Sequence, residues 1–82
     1  MIDKIPTLDL HGESKIVSSI LINEFITDNI KVGNHKVLIV HGKGTGALKQ
    51  LTHDVLKQDN RIERFYIDFF NDGTTIVEIK NN

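Results

Sequence analysis

Two short apolar runs in this chain end in the same dipeptide, His-Gly, and the stretch between them has the patterning of one helix: Leu8-Asp9-Leu10-His11-Gly12 and Val37-Leu38-Ile39-Val40-His41-Gly42. A strand, a helix and a second strand joined in that order form a right-handed crossover, which makes the two strands parallel and puts their ends at one edge of a sheet. Ligands of open α/β sheets bind at that carboxyl edge. The second run continues into Lys43-Gly44-Thr45-Gly46, a glycine-rich loop with a cation and a hydroxyl. Imidazole, carboxylate, ammonium and backbone amides are therefore expected together, a set suited to an anion and above all to a phosphodiester.

The rest of the chain fits around that unit. Thr7 to His11 alternates as a strand, with Leu8 and Leu10 on one face, Asp9 and His11 on the other, and Pro6 at the start, where a missing amide does least harm. From Ser14 to Val32 the apolar residues Ile16, Val17, Ile20, Leu21, Phe25 and Ile30 fit one stripe of a helix, started by Ser14 or Glu13 and stopped by Gly33-Asn34. Lys36 to His41 is a β-branched run typical of a central strand. Ala47, Leu48, Leu51, Val55 and Leu56 mark a second helix ending near Gln58. Ile62 to Phe70 reads as a third strand, with Phe65, Ile67 and Phe69 on one face and Tyr66, Asp68 and Phe70 on the other. Asn71-Asp72-Gly73 is a turn signal before a fourth strand, Thr74 to Lys80. The predicted fold class is α/β: a two-layer sandwich in the order βαβαββ, with a mixed four-stranded sheet and two helices on one face.

Composition narrows the function classes. An 82-residue chain makes one domain, 1–82 with its core at about 6–80, and without cysteine it has neither disulfides nor a thiolate zinc site. The ends, Met1 to Ile5 and Asn81-Asn82, look expendable. No basic leader or long apolar segment is present, so the expectation is a cytoplasmic protein with no membrane contact. A net charge of -1 argues against a surface that is a polycation throughout. The charge is uneven, however: His35 to Lys57 carries Lys36, Lys43, Lys49 and Lys57 against Asp54, which leaves room for a one-sided phosphate contact.

The motifs Leu8-Asp9-Leu10-His11-Gly12 and His41-Gly42-Lys43-Gly44-Thr45-Gly46, in order and with one helix between, resemble the two signatures of the small MutS-related (Smr) domain family. The resemblance runs from Leu8 to about Ile79, includes the Gly73-Thr74-Thr75-Ile76-Val77 ending, and suggests a stand-alone member. It implies a fold similar to the C-terminal domain of a bacterial translation initiation factor. It also implies DNA or RNA binding and, for some members, endonuclease (nicking) activity. The residues it points to are Asp9, His11, His41, Gly42, Lys43, Gly44, Thr45 and Gly46. Unlike better-studied members, this sequence carries no MutS-like ATPase and only two arginines, Arg61 and Arg64.

Phosphodiester cleavage needs a base, an acid and positive charge for the developing dianion. His11 and His41 are the candidate acid and base, with Asp9 orienting an imidazole or holding a divalent ion such as Mg or Mn. The alternatives are strand-end histidines bonded to backbone, and an Asp9 buried against loop amides. Gly42, Lys43, Gly44, Thr45 and Gly46 are the candidate phosphate cradle, against the alternative of a tight turn capped by Thr45. The loop is not a Walker A sequence, since Gly44 follows Lys43, and the chain is too short for a dinucleotide fold despite Gly42-Lys43-Gly44-Thr45-Gly46-Ala47. His35 and His53 read as surface residues. Tyr66 or Phe70 offers a ring to stack a base or bury a partner. The reading from another class is a non-catalytic adaptor that docks on structured RNA, a ribosome or a partner protein through the same loop.

Overall fold

The computed structural model describes residues 4–81, so Met1, Ile2, Asp3 and Asn82 of the ends read as expendable lie outside the described residues. The elements are β1 (Thr7–Asp9), α1 (Lys15–Lys31), β2 (Lys36–Val40), α2 (Ala47–Lys57), β3 (Ile62–Asp68) and β4 (Asn71–Ile79). They form one four-stranded sheet in the order β1-β2-β4-β3. β1 runs parallel to β2, with Asp9 opposite Val40, while β4 is antiparallel to both of its neighbours. The predicted mixed α/β sandwich is the fold that forms.

Alternation along the two central strands decides which face is covered. Val37 and Ile39 of β2 and Val77 and Ile79 of β4 share a core with Ile22 and Ile26 of α1 and Leu56 of α2, so both helices pack on one face. The opposite face carries the row Thr7, Leu38, Ile76 and Tyr66 and has no helix over it. Both apolar runs thus feed a single core, and their polar ends are left at its rim.

α1 starts where the sequence signals it, since the Ser14 hydroxyl accepts the amide of Val17 at 3.2 Å and fills one of the unpaired amides of the first turn. The face it buries differs from the stripe expected. Ser18, Ile22, Ile26 and Asn29 point inward, whereas Ile16, Val17, Ile20 and Ile30 are exposed. The helix is apolar nearly all round, so periodicity alone does not select a face, and contact with α2 and the sheet does.

The third and fourth strands also differ from expectation. β3 stops at Asp68 and the chain reverses at Phe69-Phe70, two residues before the Asn71-Asp72-Gly73 signal. The Asp68 carboxylate accepts the amide of Phe70 at 2.9 Å and closes this earlier turn. Phe69 therefore does not share a face with Phe65 and Ile67. The pairing shifts from Ile67 with Thr75 to Asp68 with Asn71, leaving Asp72, Gly73 and Thr74 as extra residues on β4. These swing toward β2, where Thr74 pairs with Val40.

Candidate functional site

The first motif is a strand end followed by a tight turn. Leu10 remains in the core, and its carbonyl accepts the amide of Glu13 at 3.0 Å, which puts His11 and Gly12 at the two corners. Gly12 has φ +80°, the value a type II turn requires at its second corner and one that disfavours a side chain. His11 is consequently exposed. Asp9, also exposed, accepts the backbone amide of His11 at 2.8 Å. Its role in the fold is to set the turn that carries His11, and its bond goes to neither an imidazole nor the glycine loop.

The second motif begins with a buried residue. His41 extends the inward alternation of Val37 and Ile39 and is only 5% exposed. Its Nδ1 lies 3.0 Å from the carbonyl of Gly42 and its Nε2 lies 2.8 Å from the hydroxyl of Thr75. A carbonyl only accepts, so Nδ1 carries the proton and donates to Gly42, while Nε2 is hydrogen-bonded to the Thr75 hydroxyl. The Thr75 oxygen is in turn 2.8 Å from Nε2 of His53. A hydrogen-bonded chain thus joins His53 on α2, Thr75 on β4 and His41, and ends on the first residue of the loop.

His53 is therefore not the surface residue it resembles in sequence. Its ring packs 5.0 Å from that of Phe65 and edge-on to that of His41 at 5.9 Å. Burial, and then the neighbouring His41, Lys49 and Lys57, hold its pKa below the ordinary imidazole value, with Asp54 opposing. One signal for this pair was present: Thr75 is a polar residue at a core position in the alternation Thr75, Val77, Ile79. Nothing in the spacing linked His53 to it.

The loop itself runs from Gly42 at φ +81° to Gly46 at φ +86°, the residue from which α2 starts. The amides of His41 and Gly42 both donate to the carbonyl of Gly73 at 3.0 Å. This packs β4 so closely that a Cβ on Gly73 would stand 3.2 Å from the Gly42 carbonyl carbon. Thr45 accepts the amide of Ala47 at 3.3 Å, a weak cap on the helix start. Among the described residues, no acceptor takes the amides of Lys43, Gly44, Thr45 or Gly46. The Lys43 ammonium lies 3.4 Å from the Asp72 carboxylate, and both side chains are exposed.

Parallel pairing of β1 and β2 brings Asp9, His11, His41 and Gly42 to Gly46 to one edge of the sheet. It does not bond the two imidazoles to each other. Among the described residues, no group of three His, Asp or Glu side chains is arranged to hold a metal ion. Asp9 offers one carboxylate, engaged through Oδ1 with the amide of His11, too few donors for the chain to hold a Mg or Mn ion without oxygens from a bound phosphate. The hollows lined by Asn60 and Arg61 lie at the opposite edge, beside the start of β3. Arg61 spends its donors there on Asp59, Thr27 and Asn23. No helix among the described residues is long and apolar enough to cross a membrane.

The family model of the Smr domain matches residues 8–80, a span that contains both motifs and, apart from Thr7, every strand of the sheet. The chain belongs to the Smr domain family. It is 38% identical over 76 residues to the protein named endonuclease MutS2 of Geobacillus thermodenitrificans, and 40% identical to that of Geobacillus kaustophilus. Each alignment covers 89% of this chain and 10% of the relative, so the chain spans about a tenth of the length of these curated relatives. In structure it is similar to the Smr domain of Thermus thermophilus MutS2, with a TM-score of 0.91 and 26% identity, covering 94% of this chain and 100% of that one. The stand-alone small MutS-related protein YdaL of Escherichia coli shares the fold at a TM-score of 0.81 and 19% identity, with coverage of 95% and 69%. In this Smr domain, the first motif presents an exposed imidazole on a turn, and the second holds a buried one against the loop.

Proposed function

We propose that the carboxyl edge of this Smr domain binds the phosphodiester backbone of DNA or RNA. The amides of Lys43 to Gly46 and the Lys43 ammonium take the phosphate, and His11 exchanges the proton when the backbone is nicked. The observation that carries this reading is four backbone amides without an acceptor, at the same sheet edge as an exposed imidazole and a lysine. Backbone amides converging at a helix start bind anions without needing a specific side chain. Similarity to proteins named endonuclease MutS2 supports the substrate class.

In this arrangement Asp9 acts on His11 through the turn, by holding its amide. His41 acts on the loop, because its Nδ1–H holds the Gly42 carbonyl while Thr75 occupies Nε2. To serve as the second proton-transfer group, His41 must first release one of those partners. That constraint favours a second reading, in which the edge grips nucleic acid without cutting it and the domain works as an adaptor.

One experiment separates the two. Purified protein is incubated with labelled DNA and RNA, with and without Mg or Mn ions, beside His11→Ala and Lys43→Ala. The nicking reading expects His11→Ala to abolish cleavage while binding persists, and Lys43→Ala to weaken DNA and RNA about equally, since a phosphate contact carries no sequence information. Cleavage that survives His11→Ala, and His41→Ala assayed in the same way, would come from a contaminating nuclease and leave the adaptor reading in place. Absence of binding to either nucleic acid would overturn both.

A further inference from the structure

Phe69 and Phe70 are each 91% exposed and stand at the tip of the β3–β4 hairpin with their rings 5.1 Å apart, edge to face. Scattered exposed apolar residues are ordinary, but two adjacent phenylalanines on a reversal of the chain forgo the whole benefit of burial. The tip is also held in place. Phe70 is bonded through its amide to Asp68 at 2.9 Å, and Gly73 to the Asn71 side chain at 3.0 Å. The hairpin is then fastened to the glycine loop by the Gly73 carbonyl and by the Lys43–Asp72 pair.

Strand order fixes what lies beside what at this edge. β1 delivers His11 on one side of β2, β4 delivers the hairpin on the other, and the glycine loop rises from β2 between them. From the end of β1 to β4 is two strand spacings, roughly 10 Å, a span short enough for adjoining nucleotides of one strand. Phe70 is two residues from Asp72, which pairs with Lys43 of the loop, so a strand whose phosphate lies on the loop has a neighbouring nucleotide within reach of the tip.

We infer that Phe69 and Phe70 form a stacking platform for an unpaired base, so that the preferred ligand of this edge is single-stranded nucleic acid or a duplex with an extruded base. The inference rests on the proposed phosphate cradle and adds the class of strand that it takes. In an intact duplex the base faces are already stacked and offer the rings nothing, whereas any unpaired base presents a π face. A protein partner fits less well, because two phenylalanines supply about 300–500 Å² where one side of a stable protein interface needs about 800 Å². The acidic neighbours do not exclude a polyanion, since the Asp68 carboxylate accepts the amide of Phe70 and Asp72 faces Lys43.

The test compares binding of a labelled single strand, its duplex, and the same strand carrying abasic positions, by anisotropy, for the intact protein, Phe69→Ala, Phe70→Ala, Phe70→Trp and Lys43→Ala. A strand containing 2-aminopurine reports stacking directly through loss of its emission. Each Phe→Ala change should weaken the single strand about tenfold and leave duplex and abasic strands within about twofold, while Phe70→Trp retains affinity and quenching. Both phenylalanines are exposed, so these variants should unfold at the temperature of the intact protein. Single-strand affinity indifferent to both Phe→Ala changes, with Lys43→Ala still weakening all ligands, would overturn the stacking platform alone and leave the tip to a protein partner. Failure of the intact protein to bind any strand would overturn the cradle, and the platform with it.

Discussion

The hydroxyl of Thr75 and Nε2 of His53, 22 residues apart in the chain, lie 2.8 Å apart between the sheet and α2. Because the same hydroxyl serves His41, whose ring holds the Gly42 carbonyl, the position of α2 is coupled to the shape of the loop through three side chains. Thr75 is fully buried, so nothing in solvent can replace it. Thr75→Val keeps the shape, removes the hydroxyl and leaves the buried Nε2 of His41 and the part-buried Nε2 of His53 without their partner. It should lower unfolding stability by about 1–3 kcal/mol, measured by denaturant titration, with Thr75→Ser losing less. Equal losses in the two variants would assign the effect to packing and not to the hydroxyl.

His53 gives the fold a pH dependence whose sign follows from its environment. Its pKa is lowered in the folded state, by burial first and then by His41, Lys49 and Lys57, so the unfolded chain takes up the proton more readily. The stability it contributes is complete above the ordinary imidazole value, about 6.5, and is lost as pH falls through the lowered folded value. Thermal unfolding should therefore move to lower temperature as pH drops below about 6.5, and His53→Gln should flatten that slope. An unchanged slope in the variant would place the titrating group elsewhere.

Nucleic-acid binding should be weak and steeply salt-dependent, because few cations are free at this edge. Both arginines are paired with carboxylates of the chain itself, Arg61 with Asp59 and the exposed Arg64 with Glu78. Lys43→Ala should reduce the slope of log affinity against log salt by about 0.7–0.9, the share of one phosphate. Asp72→Asn should act the other way, since Asp72 competes with phosphate for Lys43. A gain of up to about fivefold at low salt is expected, fading as salt screens the charge. An affinity indifferent to salt would count against a phosphate contact altogether.

Ser18 makes a simpler prediction. Its hydroxyl is fully buried in the inner face of α1 and has no hydrogen-bond partner among the described residues. Ser18→Ala removes an unsatisfied polar group and replaces it with a better helix former, so stability should rise by about 0.5–1 kcal/mol. A loss on denaturant titration would mean that the hydroxyl finds a partner in solution.

Much of the architecture was legible because it depends on local signals. Ser14 marks the start of α1 with its own side chain, and the β-branched run before His41 has few alternatives to a central strand. Turn chemistry was less decisive. Asn71-Asp72-Gly73 carries a strong turn signature, yet Asp68 closes the turn first, and the three extra residues of β4 go to meet β2. The inward face of α1 was illegible for a different reason, since Ile16 and Ile20 are as apolar as Ile22 and Ile26.

By itself, then, the sequence determined the order of the elements and, through the parallel crossover, the edge at which both His-Gly motifs end. Those features follow from periodicity, caps and the handedness of a short connection, all of which act between residues near in the chain. Only the tertiary structure decided that His11 is exposed and His41 enclosed, that His53 and Thr75 complete the contacts of His41, and that Phe69 and Phe70 stand exposed at the tip of a hairpin bonded to the loop. Each of these depends on which strand pairs with which and in what register. A shift of one residue turns a strand's inward side chains outward, so a motif written identically twice can place one imidazole in solvent and the other in the core.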